Sequence, residues 1–160
     1  MAQILHESGA FTILEESLNY SAKRMTQVWP SRFPTVADAE PFAHNPQKLA
    51  NKVYNGRMGN AQGSDDGWHY IGRGLMQITG LDSYTHFGNK LGIDLVGNPA
   101  VAYSSASCLK IAAEEWTENG CNALADADKV VSITIKINGG KIGLAERKEW
   151  LLRTKHIWNA

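Results

Sequence analysis

Val130-Val131-Ser132-Ile133-Thr134-Ile135-Lys136-Ile137-Asn138-Gly139-Gly140 is the stretch on which the fold class turns. Val131, Ile133, Ile135 and Ile137 alternate with Ser132, Thr134 and Lys136, the two-residue period of a half-buried strand, in β-branched residues that favour one. Read locally, it is a strand ending at the Asn138-Gly139-Gly140 turn. A helix packed in a core accommodates the same residues, and the pattern leaves both open.

On either side of it the signals are helical. Gly143 precedes Leu144 to Trp158, read as a final amphipathic helix. Asn98-Pro99 pairs a capping side chain with proline at the first helical position and opens the longest expected helix, from about Ala100 to Glu118, closed by Asn119-Gly120. Within it Cys108, Ile111, Ala112, Glu115 and Trp116 share one face. Asn45-Pro46 repeats the device ahead of Gln47 to Tyr54, Thr35 precedes Val36 to Glu40, and Ser21 caps Ala22 to Trp29, stopped by Pro30. With no repeat, linker or low-complexity tract, residues 1–160 read as one domain.

The chain has 160 residues, 43% hydrophobic and 20% charged, which suits a water-soluble domain with a sizeable core. No apolar run is long enough to span a bilayer and no leader is visible, so the expectation is a protein that stays in the cytoplasm until something releases it. Two cysteines make no disulfide framework, and Cys108, among apolar helical residues, reads as a buried thiol. The net charge is zero, yet residues 129–160 hold seven Lys/Arg against Glu146 and Glu149. A basic helix can lean on a polyanion, but a solvated face is the preferred reading. Five histidines without a metal-ligand spacing argue against zinc, so neither metal nor cofactor is expected.

Asn55 to Gly80 is unlike its surroundings, with glycines at 56, 59, 63, 67, 72, 74 and 80 among polar residues and the aromatics Trp68 and Tyr70. Such loops are usually functional or mobile, and this one lacks the lysine of a phosphate loop. Arg73, between two glycines, could pair with a buried carboxylate. Met76-Gln77-Ile78-Thr79 alternates, which would set both polar side chains on one side. Trp68, Tyr70 and Tyr84 could stack on a flat ligand face, though core positions are at least as good a reading.

Two glutamates carry the chemical reading. Glu7 stands in His6-Glu7-Ser8-Gly9, and Glu16 closes Leu14-Glu15-Glu16. On one continuous helix they would lie roughly 13 Å apart. A turn at Gly9-Ala10 brings a separation of about 6.5–9.5 Å within reach, the distance at which an acid and a base leave room for a water across a glycosidic bond.

The motifs His6-Glu7-Ser8-Gly9, Leu14-Glu15-Glu16 with Leu18-Asn19-Tyr20-Ser21, Tyr54 to Gly59, Gly72-Arg73-Gly74 with Gln77-Ile78-Thr79-Gly80, Ile137-Asn138-Gly139-Gly140 and Ala145-Glu146-Arg147 occur in the order of glycoside hydrolase family 19. The chain resembles that family's plant-type chitinases and, more closely, its phage and prophage endolysins. The resemblance implies a mainly α, bilobed, lysozyme-like fold, with the glycine-rich loop lining a central cleft and Val130 to Ile137 helical. It implies Glu7 as general acid, Glu16 as general base and Thr79 as the hydroxyl that helps hold the attacking water. Gln77, Asn138 and Arg147 fall at family positions for substrate contact and support of the acid, and Ser83 stands where many members have a sugar-contacting asparagine. Trp68 and Tyr70 complete the expected substrate-binding set.

The activity so implied is inverting cleavage of β-1,4 bonds in peptidoglycan, with chitin-type oligomers as secondary substrates. The protein is expected to be a monomer that binds glycan and no nucleic acid, and to reach the wall through a holin-type release. Lytic transglycosylation and glycan binding without cleavage are the alternatives. The family's leading helical segment has no counterpart ahead of His6-Glu7 in this sequence.

Overall fold

Ser21, Thr35 and Asn45 each accept a hydrogen bond from the amide three residues on, from Arg24 and Asp38 at 3.3 Å and from Lys48 at 3.1 Å. Each thereby satisfies one orphan donor at a helix start. Asp38 returns the bond to the Thr35 amide at 3.0 Å, completing a capping box.

In the computed structural model, which describes residues 1–158, α1 spans Ala2–Glu7, α2 Ala22–Val28, α3 Val36–Ala39, α4 Pro46–Tyr54 and α5 Asp66–His69. After these, α6 spans Leu81–Leu91, α7 Cys108–Glu118, α8 Cys121–Asp126, α9 Val130–Asn138 and α10 Leu144–Trp158. Short 3-10 turns occupy Glu40–Phe42 and Pro99–Tyr103. The protein is mainly α. Among the described residues no strand forms, only isolated bridges joining Arg73 to Glu15 and to Ile78.

The ambiguous segment is therefore a helix. α9 buries Ile133 and Thr134, leaves Ile135 exposed, and packs on α8 and α10. Thr134 Oγ1 donates to the Val130 carbonyl at 2.8 Å, so its hydroxyl is satisfied within the helix. Gly139, with φ of 74°, ends it in the left-handed conformation that glycine adopts without penalty. Tertiary burial overrides the β-branched preference here.

The chain gathers into two compact units. One comprises Glu15–Arg73 and Ile78–Pro99. Its core holds Leu18, Met25, Phe33, Leu49, Val53 and Ile71, with Tyr20, Trp29, Phe42 and Trp68 packed around them. α4 and α5 approach closely at Gly67, where an added Cβ would lie 2.8 Å from the Ala50 carbonyl oxygen. The glycine-rich segment is pinned: Asn60 is buried, donates to the Tyr54 carbonyl at 3.1 Å and accepts from the Leu81 amide at 2.9 Å.

The other unit comprises Met1–Leu14, Gly74–Gln77 and the described residues from Ala100 onward. The single helix expected from Ala100 to Glu118 does not form. Pro99–Tyr103 is a 3-10 turn, and α7 begins at Cys108. Ser104, Ser105 and Ser107 fill the break, residues whose side chains favour turns and helix ends over helix interiors. The longest helix is instead α10, with 15 residues. Its patterning also departs from expectation: Arg147 is 0% exposed while Leu152 and Ile157 are 71% and 68% exposed. Cys121, not Cys108, is the buried cysteine, and both are free thiols.

Candidate active site

Glu7 ends α1. Ser8 follows it with Oγ donating to the Ile4 carbonyl at 2.7 Å and accepting from the Phe11 amide at 2.9 Å. Gly9, Ala10 and Phe11 all take positive φ, 52°, 57° and 69°, so the chain turns directly behind the carboxylate. Two of these are not glycine, a strain that the surrounding turn bonds (Ala10 amide to Leu5 carbonyl 2.7 Å, Ile13 amide to Ser8 carbonyl 2.9 Å) must hold.

Arg147, on α10, reaches this carboxylate from within the core. Its Nη2 donates to Glu7 Oε1 at 2.6 Å, its Nη1 to Gln3 Oε1, and its Nε to the Ile142 carbonyl at 3.3 Å. Gln3 and Glu7 lie four apart on α1, so one guanidinium holds both. Gln3 in turn donates to Thr134 Oγ1 at 3.4 Å, tying in α9. Beside them, His6 Nδ1 lies 3.0 Å from Glu146 Oε2, an approach whose angle misses hydrogen-bond geometry, and the nitrogen is otherwise buried without a partner. Gly143 lets α10 start against this ring: at φ of 70°, its Cβ would run into the imidazole.

Glu115, on α7, is a further carboxyl group of this unit, and a largely buried one. Its Oε2 is buried with no hydrogen bond among the described residues. Burial, with the charges of Glu7 and Glu118 adding, pushes the carboxyl up from 4.5 to about 7. Stability falls accordingly as pH rises. Below 4.5 folded and unfolded chains both keep the proton; between there and about 7 the unfolded chain alone gives it up. Above that the penalty is complete, on the order of 3 kcal/mol. Glu115→Gln is expected to melt above the parent at about pH 8 and level with it at about pH 4, in thermal melts at the two pH values.

In the other unit, Glu16 is held at both oxygens. The Gly72 amide donates to Oε1 at 2.6 Å and Tyr54 Oη to Oε2 at 2.8 Å, while the Glu16 amide donates to the Gly72 carbonyl at 2.9 Å. Burial first, and then the Glu16 charge and this bond, raise the Tyr54 phenol above its ordinary range, so it remains a donor. The neighbouring Glu15 turns to Arg73, whose Nε donates to its Oε2 at 2.6 Å. Arg73 Nη1 also donates to the His69 carbonyl at 2.6 Å. Tyr84 Oη donates to the Ile71 carbonyl at 2.7 Å and accepts from Arg73 at 3.3 Å; burial pushes this phenol up to about 12. The glycine-flanked arginine does find a carboxylate, and it is the one next to Glu16.

No family model matches the chain. A Haemophilus influenzae protein described as a glycosyl hydrolase family 19 domain-containing protein is 39% identical to it over 148 residues, 92% of this chain and 72% of that protein. The chain belongs to glycoside hydrolase family 19. Chitinase 8 of Oryza sativa subsp. japonica is 51% identical over 37 residues, 23% of this chain and 14% of that protein.

The expected site residues of this family 19 chain fall out as follows. Glu7, Arg147 and Asn138 lie in one unit, with Asn138 exposed as the last residue of α9. Glu16, Thr79, Ser83, Trp68 and Tyr70 lie in the other. Thr79 and Ser83 are half-buried. Gln77 belongs with Glu7, and its φ of 60° breaks the expected alternation, so it and Thr79 do not line one side of a strand. Its Nε2 donates to the Gly74 carbonyl at 3.0 Å. Tyr70 is 8% exposed with its ring 5.3 Å from that of Tyr84, which leaves no face for a sugar; it is a core residue. Trp68 is half-buried against the core of its unit.

Sequence reading missed Gln3, Tyr54 and Glu115. Glu115 left a signal, a carboxylate on an otherwise apolar helix face. Among the described residues no group of three potential ligands could hold a metal, and no helix is long and apolar enough to cross a membrane.

Proposed function

We propose that this family 19 protein is an endolysin-type inverting glycosidase that cleaves β-1,4 bonds of peptidoglycan, with chitin-type oligomers as further substrates. The supporting observation is the contrasted holding of two carboxylates: Glu7 on a buried guanidinium, Glu16 on an amide and a phenol. These are the positions that resemble the family's acid and base.

In this reading Glu7 gives its proton to the glycosidic oxygen as the bond from that oxygen to the anomeric carbon breaks. The carboxylate left behind is met by Arg147 Nη2 at 2.6 Å, which stabilises the charge that proton transfer creates. Glu16 takes a proton from water while the water oxygen bonds to the anomeric carbon from the opposite face, inverting it. Thr79 steadies that water, and Gln77, Ser83 and Asn138 contact sugar.

Digestion of purified murein and of a chitin oligomer, read by mass spectrometry and by NMR of fresh product, tests this. Reducing ends of inverted configuration are expected from murein. Anhydro ends would assign a transglycosylase, and glycan binding without products would assign a binding protein; either overturns the reading. Tyr54→Phe removes a hydrogen bond to a charged group, worth about 1.5–3 kcal/mol. In steady-state kinetics its kcat is expected to fall about ten- to a hundredfold with KM little changed.

A further inference from the structure

Four successive carbonyls of the glycine-rich segment each accept from a different donor. Arg73 Nη1 donates to that of His69 at 2.6 Å and the Gly80 amide to that of Tyr70 at 2.8 Å. Tyr84 Oη donates to that of Ile71 at 2.7 Å and the Glu16 amide to that of Gly72 at 2.9 Å. The Ile71 carbonyl and the Gly72 amide are the two ends of one planar peptide group. Its oxygen is held by Tyr84, and its N–H donates to Glu16 Oε1 at 2.6 Å. Tyr84 Oη accepts in turn from Arg73 Nη1 at 3.3 Å. The donors therefore run one way, from guanidinium to phenol to peptide to carboxylate, all within the unit that holds Glu16.

We propose that Tyr84, itself set by Arg73, is a positioning residue for Glu16 and acts through the Ile71–Gly72 peptide group. The inference rests on Glu16 being the general base. With its oxygen clamped, the peptide plane cannot turn its N–H away from Oε1. A hydrogen bond to the carbonyl also polarises the amide and strengthens that N–H as a donor. Both effects are largest away from water, and Tyr84 is 0% and Arg73 9% exposed. A buried phenol needs an acceptor in any fold, and a carbonyl with no bearing on the site would serve. The one taken here belongs to the peptide that holds Glu16. Tyr54, which donates to Oε2 from α4, is a separate hold on the same carboxylate.

Tyr84→Phe keeps the ring beside Tyr70 and removes only the hydroxyl. The test follows it by proton–nitrogen NMR of the full chain and by steady-state kinetics on a soluble chitin oligomer, with Glu16→Gln as control and circular dichroism for the fold. The Gly72 amide proton is expected far downfield in the parent, and to move upfield in Tyr84→Phe as its bond to Glu16 weakens. In the same variant kcat is expected to fall about three- to tenfold with KM within about twofold of the parent. A merely structural role would lower the melting temperature and leave the Gly72 signal and kcat in place, and that result overturns the inference. A second readout does not need Tyr84→Phe to fold: the Tyr84 Cζ signal, read by carbon-13 NMR in Glu16→Gln. Neutralising the carboxylate at the end of the chain of bonds is expected to shift that signal, and an unmoved signal overturns the linkage. Full activity in Glu16→Gln would sink the base assignment and this inference with it. An inactive Glu16→Gln beside an unimpaired Tyr84→Phe would sink the inference alone.

Discussion

Glu7→Gln is expected to lose about a hundred- to ten-thousandfold in kcat on a soluble oligosaccharide, with KM close to that of the parent. Glutamine has nearly the shape of glutamate and keeps an amide oxygen that can accept from Arg147 Nη2, so the link between α1 and α10 survives. What it cannot do is release a proton to a leaving oxygen. The loss is therefore chemical, and far-ultraviolet circular dichroism should match the parent. A leaving group that needs no protonation, such as a nitrophenol, recovers part of the rate, because the missing proton is then no longer required in the transition state. Activity within tenfold of the parent on the natural linkage would remove Glu7 from the mechanism.

Arg147→Met carries the largest expected effect on stability, a loss of about 3–5 kcal/mol. The side chain is fully buried and serves Glu7, Gln3 and the Ile142 carbonyl at once. Its removal leaves a largely buried carboxylate without a counter-ion and two further acceptors without their donor. Against a total stability of roughly 5–15 kcal/mol, that is a large share. Urea melts of the parent, Glu7→Gln, Arg147→Met and the double variant form a cycle that isolates the pair. The double variant is expected to be more stable than the sum of the single losses, because neutralising Glu7 removes the orphaned charge. Strict additivity would mean that the two side chains do not depend on each other.

Local chemistry was the legible part of this sequence. The caps at Ser21, Thr35 and Asn45-Pro46 rest on a side chain meeting a backbone amide three residues away, so neighbouring letters decide them. The motif residues Glu7, Glu16 and Arg147 were also legible, as was a carboxylate partner for Arg73. What distant packing decides was not. The Val131–Ile137 alternation leaves strand and helix both open on its own; the family resemblance implies the helix that forms, and burial of Ile133 and Thr134 among neighbouring helices is what decides it. Ser104, Ser105 and Ser107 break the helical pattern of Ala100 to Glu118, although the apolar spacing around them continues through. α10 buries an arginine and exposes Leu152 because Glu7, 140 residues away, needs that charge, and no periodicity reveals such a demand. An aromatic such as Tyr70 reads equally as a sugar platform or a core residue, and its place beside Tyr84 is a matter of three-dimensional packing.

The bond between Glu7 and Arg147 spans 140 positions of sequence, and this sets when the protein can become competent. Translation delivers the carboxylate well before its guanidinium, so on the ribosome α1 waits for the 140 residues that separate them to emerge. A nascent or prematurely ended polypeptide has the acid but not its anchor. The Glu7 carboxylate is thus left without its counter-ion until α10 has been made.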